Sequence, residues 1–284
     1  MDGSGTQNDP YIITTFYEML QSLYTAGDYT VYYKLGNDIN ILDEYPEGMP
    51  NGLALRNVDL DGNGKTISNW DKSSGYMITF ASDGTDSKVH NLNFNNINLP
   101  STATAFMCGN DQQGFENCTF RGQINKHFLS AADQHSDGPV KFKSCTFKIK
   151  DLRTGDNQFN TSGKCPYFDS CYFEYEGGIA SPPFMDYQPI DGIFAVNSYF
   201  DMKLPNSTAS AFNSYMNKIK NCALDIETNA EMQLVGDSSS ISIYNLTKAP
   251  NIKQSSTYVA GITDANWLNL EALEQAGFNV VPSE

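Results

Sequence analysis

One hexapeptide pattern, repeated eight times, constrains this chain more than any other feature. The pattern is apolar–x–Asn/Ser–apolar/Cys–x–apolar, as in Phe142-Lys143-Ser144-Cys145-Thr146-Phe147. Its copies begin at Leu55, Val89, Phe115, Phe142, Phe168, Ala195, Ile219 and Ile241, so successive starts differ by 34, 26, 27, 26, 27, 24 and 22 residues. A period of this size marks a solenoid, in which each unit buries its apolar side only against its neighbours. Helical repeats keep a fixed length and a 3.6-residue periodicity. Here the unit length varies, and β-branched and aromatic residues alternate with Asn, Ser and Gly at the bends. The units are coils of β-strand.

A second row supports the first. Tyr76, Phe106, Phe128, Phe159, Phe184, Phe212 and Met232 stand between hexads, six of them 13 to 17 residues after the hexad start and Tyr76 21 after it. Each coil therefore carries at least two inward strands, one with the hexad pair and one with a large side chain. Strands stacked every ~4.8 Å let like residues pile into continuous interior rows, and aromatic rows gain ring packing as well as burial. The expected fold is all-β: a single-stranded right-handed parallel β-helix of about 8–10 coils.

The hexads assign further rows. Cys118, Cys145, Cys171 and Cys222 share one hexad position, with Ser198 filling the gap. Adjacent in-register strands make poor disulfide geometry, and a free Cys is a good small hydrophobe, so these thiols are expected to be reduced and buried. Asn57, Asn91, Asn117, Asn197 and Asn221 mark the bend position, where a side-chain amide can bond the next coil's backbone and amides. A polar binding stripe is the other reading of that row. A bend row explains better why these residues recur inside the strand pattern.

An open β-helix end exposes strand edges and core, so caps are expected. Thr15-Phe16-Tyr17-Glu18 reads as a capping box opening a helix over 16–24, and Asp264 can cap a helix over 266–276 closed by Gly277. The expected division is an N-terminal cap at 1–54, coils at 55–250 and a C-terminal cap at 251–284.

Charge narrows the partners. With 33 acidic against 18 basic residues the net charge is −15, and no Lys/Arg cluster stands out, which argues against nucleic acid or an anionic membrane as partner. The first residues lack a basic and an apolar region of the secretory kind, so folding in a cytoplasm is expected.

The opening Gly3-Ser4-Gly5-Thr6, Asp9-Pro10-Tyr11-Ile12-Ile13, a short helix, then Tyr33-Lys34-Leu35-Gly36-Asn37-Asp38-Ile39, resembles the start of pectin-lyase-like β-helices of phage virions and bacterial surfaces. Leu60-Asp61-Gly62-Asn63-Gly64-Lys65-Thr66-Ile67 is similar to the Asp-Gly-x-Gly turn of that superfamily. The resemblance spans nearly the whole chain and implies fold more than activity, because the superfamily holds lyases, hydrolases, adhesins and inert virion parts. Its polygalacturonase-like members imply Asn-x-Asp, Asp-Asp, Gly-His-Gly and Arg-x-Lys signatures, which are not present here in order.

Other chemistry is sparse. The segment from Asp59 begins like an EF-hand loop, but its last ligand position is Trp70 and Leu60 belongs to an interior row, so turn chemistry explains it better. Of the three histidines, His90 and His127 are expected to face solvent. His135 sits with Asp133 and Asp137 in a long loop, a candidate acid–base or weak cation group. Asp186 and Asp191, flanked by prolines, are a second carboxylate pair of the sort a glycosidase uses. No cofactor and no metal are expected. The functional expectation is a non-catalytic structural protein of a bacteriophage particle: a capsid decoration, head fibre or tail-associated spike component. It would be a homo-oligomer, with a trimer as the habit of such folds, bound to other virion proteins and contacting host-surface polysaccharide. The alternatives are a tailspike-like depolymerase or glycan-binding receptor-binding protein, and a bacterial surface adhesin.

Overall fold

In the computed structural model the hexads become strand–corner–strand units, stacked into a parallel β-solenoid. The structure describes residues 1–24, 27–49, 51–71, 74–81, 87–100, 102–108, 114–125, 128–131, 141–152, 167–177, 194–204, 210–212, 218–220, 222–227, 232–235, 243–246 and 252–253. The first sheet has nine strands, from Tyr11–Ile13 to Lys218–Lys220, and the second has nine, from Ile39–Asn40 to Ile243–Leu246. A third sheet stacks Leu53–Leu55, Gly75–Phe80, Ala103–Cys108 and Leu129–Ala131. Three later strands, Ser210–Phe212, Met232–Val235 and Ile252–Lys253, pair in the same parallel way.

Register carries the rows. Val89, Phe115, Phe142, Phe168 and Ala195 are successive partners in the first sheet. Phe94, Phe120, Phe147, Phe173 and Phe200 are partners in the second, with ring centroids 5.0, 5.1, 4.6 and 4.6 Å apart and planes nearly parallel. Those distances match the spacing of the strands themselves. The two rows meet edge to face, Phe115 on Phe120 at 5.3 Å and 86°, the arrangement the ring quadrupole favours.

The corner between the two sheets explains the Asn/Ser position. Asn91, Asn117, Ser144, Ser170 and Asn197 all have φ between 51° and 55°, the left-handed region that Asn tolerates best among side-chain-bearing residues. Hydrogen bonding follows: Asn117 Nδ2 donates to Asn91 Oδ1 at 2.8 Å, and Asn197 Nδ2 to Asp169 Oδ1 at 3.5 Å. The kink turns the next residue inward. Cys118, Cys145 and Cys171 are free and buried, and their thiols donate to the carbonyls of Val89, Phe115 and Phe142 one coil earlier, at 3.5, 3.5 and 3.3 Å. Burial pushes the Cys118 and Cys145 thiols well above their usual range, so they are poor nucleophiles. Ser198 continues the row, accepting the Cys171 N–H at 3.1 Å.

The first hexad requires a correction. Val89 stacks on Leu60, and Phe94 on Ile67. Leu55, expected in the Val89 row, instead pairs with Phe80 in the third sheet. Asn57 is left-handed too (φ 55°), but it bends a different corner and donates to the Gly27 carbonyl, outside the Asn91 row. The physical reason is the corner at Asn57, which sends Leu53–Leu55 to the third sheet and Val58–Asp61 to the first, while Gly62-Asn63-Gly64 forms the turn that the later coils make with one Asn or Ser. The spacing of 34 residues between the first two hexads arises mainly because Leu55 stands five residues before Leu60, the true partner of Val89. The aromatic row shifts by one or two places as well. Ile78 and Leu129, rather than Tyr76 and Phe128, are the register partners of Phe106. Phe128 is nonetheless fully buried, its ring 5.1 Å from Phe106.

At the N-terminal end, α1 (Phe16–Ser22) is shorter than expected. The chain leaves the helix because Leu23 O accepts the Arg56 N–H at 3.1 Å and Tyr24 bridges Arg56 in parallel. Thr15 caps it, accepting from Glu18 N at 3.1 Å, while the Glu18 carboxylate reaches one residue further back, to Thr14 N at 2.7 Å. That bond holds the Glu18 carboxyl below its ordinary range. Glu44, at the end of α2 (Ile41–Glu44), accepts from Phe16 N and Tyr17 N at 2.6 and 2.8 Å, satisfying two more helix-end donors. Strands Tyr11–Ile13 and Val31–Leu35 belong to the first sheet, so stacking reaches into the segment read as a cap. The helix expected at 266–276 lies outside the described residues, as do Phe159, Phe184, Asn221 and His127. Phe212 and Cys222 are placed by backbone only, in Ser210–Phe212 and Cys222–Glu227.

Candidate functional site

The five acidic and histidine candidates, Asp133, His135, Asp137, Asp186 and Asp191, lie outside the described residues. What the structure does place are the outer faces of the two long sheets, and these differ in how charge is laid along the stack.

On the first sheet, Lys34, Asp61, His90, Glu116, Lys143 and Asp169 are successive register partners, so the sign alternates from coil to coil when His90 is protonated. Lys143 Nζ lies 2.9 Å from Glu116 Oε1, and Lys34 Nζ 4.0 Å from Asp61 Oδ2. His90, expected to face solvent, is outward but engaged, with Nε2 2.7 Å from Asp59 Oδ1 and Nδ1 3.6 Å from Asp61 Oδ1. The Asp59 bond raises its pKa above the ordinary histidine value. Asp61 also accepts from Asn63 N at 2.8 Å and from Asn91 Nδ2 at 3.1 Å. Gly62 is needed there because a Cβ would meet the Asn91 carbonyl oxygen at 2.5 Å. The Asp-Gly-x-Gly segment thus works as a turn, and Trp70 is buried between Phe16 and Phe94, each 5.6 Å away.

On the second sheet the residue just after each inward Phe points out. Arg121, Lys148, Glu174 and Asp201 are successive partners, and Asp225 is next in register. Here like charges are adjacent: two cations, then three carboxylate positions. The parallel column is Gln123, Lys150, Glu176, Lys203 and Glu227. Two ion pairs cross the change of sign, Lys148–Glu174 at 3.3 Å and Lys150–Glu176 at 3.2 Å.

Arg121, Lys148, Glu174 and Asp201 of the first column and Lys150, Glu176 and Lys203 of the second line an open groove of about 520 Å³ together with Tyr172. Tyr172 donates to Asp201 Oδ2 at 3.4 Å, and its ring lies 5.3 Å from that of Tyr199. Burial, with Asp201 beside it, pushes the phenol well above its ordinary range, so it is a hydrogen-bond donor and not a base. A β-bulge marks the N-terminal end of the groove. Phe120 pairs with Phe94 and Gly122 with Ile97, which leaves both Asn95 and Asn96 opposite Arg121. Asn96 is left-handed (φ 53°) and donates to Asn69 Oδ1 in a second amide ladder. Gly122 fits the tightened approach, since a Cβ would meet the Ile97 carbonyl oxygen at 2.1 Å. Bulges are over-represented beside functional sites, where they re-aim side chains. Behind the strand, Asp151 is 2% exposed and accepts from the Tyr175 hydroxyl, a polar pair set into the interior.

The groove is therefore equipped to bind: along its Arg121 column cations stand at one end and carboxylates at the other, while the neighbouring column alternates and sets Lys203 beside the carboxylates, with a phenol at the side. These residues stand on strands and not in the loops where the candidate acid–base groups are expected. The signal was in the hexads all along, one position after each closing aromatic: Phe120-Arg121, Phe147-Lys148, Phe173-Glu174, Phe200-Asp201.

Fold and register define the class as a parallel β-solenoid protein. No family model matches the sequence, and no curated protein matches it. Among solved structures the chain is similar to one described as a "putative immunoglobulin A1 protease" from Bacteroides ovatus, with 14% identity, 86% of each chain covered and a TM-score of 0.50. At that identity the likeness is one of fold alone.

Proposed function

We propose that this chain is a rigid, non-catalytic component of a bacteriophage particle, a capsid decoration, head fibre or tail-associated spike. Its second-sheet groove contacts a host-surface polysaccharide. The observation that carries the contact is the groove, where donors and acceptors from four successive coils line about 520 Å³. The stacked phenylalanine rows beneath it support a stiff scaffold, because each ring is held by neighbours on the coils before and after it. The particle assignment is supported by the resemblance of Gly3 to Ile39 to pectin-lyase-like β-helices of phage virions and bacterial surfaces. Other virion proteins and further copies of the chain, as a homo-oligomer, are its partners. Mass spectrometry of purified particles tests the assignment, with the chain expected at fixed stoichiometry; its absence from particles that infect normally overturns it.

One observation favours a second reading. Glu174 and Asp201 are register partners on adjacent coils, and two neighbouring carboxylates are what a glycoside hydrolase places across a scissile bond. Incubation with capsular polysaccharide separates the two readings. Intact polymer is expected, and fragments that vanish with Glu174→Gln or Asp201→Asn favour the depolymerase.

A further inference from the structure

We infer that the groove selects a zwitterionic saccharide, with an acidic group over Arg121 and Lys148 and an ammonium group over Glu174 and Asp201. The inference rests on the glycan-contact reading above and narrows it to one class of ligand.

The charge order is what points to this ligand. Partners on adjacent parallel strands lie ~4.8 Å apart, and like charges facing one another at that distance destabilise a sheet. The first sheet avoids this by alternating sign along Lys34, Asp61, His90, Glu116, Lys143 and Asp169. The second sheet, with the same spacing, alternates in one outward column, Lys150, Glu176 and Lys203, but in the other sets Arg121 beside Lys148 and Glu174 beside Asp201. Departures from local rules gather where a function repays them. The sorting makes a dipolar groove whose cationic and anionic halves have centres two coil spacings, about 10 Å, apart.

Each half excludes a different competitor. A polyanion long enough to fill the groove meets Glu174 and Asp201, and a polycation meets Arg121 and Lys148; discrimination by repulsion of the wrong partner is the usual route to specificity. Along the Arg121–Asp201 column a ligand carrying both signs in the matching order satisfies both halves; among the described residues Lys203, beside Glu176, is the one cation lining the acidic half. The Lys148–Glu174 pair in the middle, at 3.3 Å, does not block it: Glu174 is half exposed and can turn to a ligand group, while Lys148, 12% exposed, lends its charge from within the groove wall. Three further features fit a hydroxyl-rich ligand. Tyr172 offers a phenol at the groove wall beside Asp201. Lys150 and Glu176 add a second line of donors and acceptors. The bulge opposite Arg121 sets the N-terminal limit of the groove.

Titration calorimetry on the full chain tests this with three probes: a trisaccharide bearing one phosphate and one free amine, its N-acetylated form, and its dephosphorylated form. The zwitterion is expected to bind at least about tenfold more tightly than either derivative, a difference of about 1.4 kcal/mol. Arg121→Gln should reduce the preference over the dephosphorylated form, and Glu174→Gln the preference over the N-acetylated form, while Lys143→Gln on the other sheet changes neither. Circular dichroism melts confirm that each variant is folded. If the N-acetylated, purely anionic form binds as tightly as the zwitterion, the inference is overturned and the glycan reading stands. If none of the three binds, and capsular polysaccharide does not either, the glycan reading falls with it. Binding of a zwitterionic peptide but of no saccharide also overturns both.

Discussion

The two long sheets share one core and one coil spacing, yet their outer faces carry charge on opposite plans. Along the first, Lys34 to Asp169 alternate in sign, and each neighbour relieves the next. Along one column of the second, Arg121 and Lys148 are followed by Glu174 and Asp201, so like charges stand together, while its neighbouring column of Lys150, Glu176 and Lys203 alternates as the first sheet does. Since the strand spacing is shared, the contrast separates what a solenoid needs for stability from what one column gives up for recognition. Substitutions can break or sharpen it.

The largest expected effect concerns what the faces share. Phe147 stacks on Phe120 and Phe173 at 5.1 and 4.6 Å, so Phe147→Ala should cost about 3–5 kcal/mol, read as a lower urea midpoint. Next comes the alternating face. Asp61→Lys removes the acceptor for Asn63 N and Asn91 Nδ2 and sets a cation between Lys34 and His90, at a cost of about 1–2 kcal/mol.

His90 adds a pH dependence to that face. Its folded pKa is raised, chiefly by Asp59, so its contribution is complete below the unfolded value of about 6.5 and is lost as pH rises through the folded one. The stability of the native chain should fall across that window by about 1 kcal/mol or less, and His90→Gln should flatten the curve of urea midpoint against pH. The smallest effect has the opposite sign. Arg121→Glu replaces a like-charged neighbour of Lys148 with an opposite one and should stabilise by roughly 0.5 kcal/mol, visible as a small rise in melting temperature. Equal losses from Arg121→Glu and Asp61→Lys would erase the distinction between the faces.

Much of this was legible in the hexads. From Val89 onward their spacing set the register, because apolar residues at the first, fourth and sixth positions can all turn inward only if a left-handed corner falls at the third. The first hexad misled because Leu55 and Leu60 are both apolar and both inward but belong to different sheets. Only the turn at Gly62 to Gly64 distinguishes them. Tyr76 stands outside the second row because the row requires burial rather than aromaticity, and Ile78 meets that requirement. The groove was harder to see. Arg121, Lys148, Glu174 and Asp201 are 26 or 27 residues apart, and no local motif joins them; only the stack makes them neighbours.

The most direct test of a sorted, ligand-binding face set against a structural one is binding of host capsular polysaccharide to the native chain, Arg121→Glu and Asp61→Lys, measured side by side on folded protein. Binding should be lost in Arg121→Glu, the more stable variant, and kept in Asp61→Lys, the less stable one. Loss in Asp61→Lys with retention in Arg121→Glu would contradict the account.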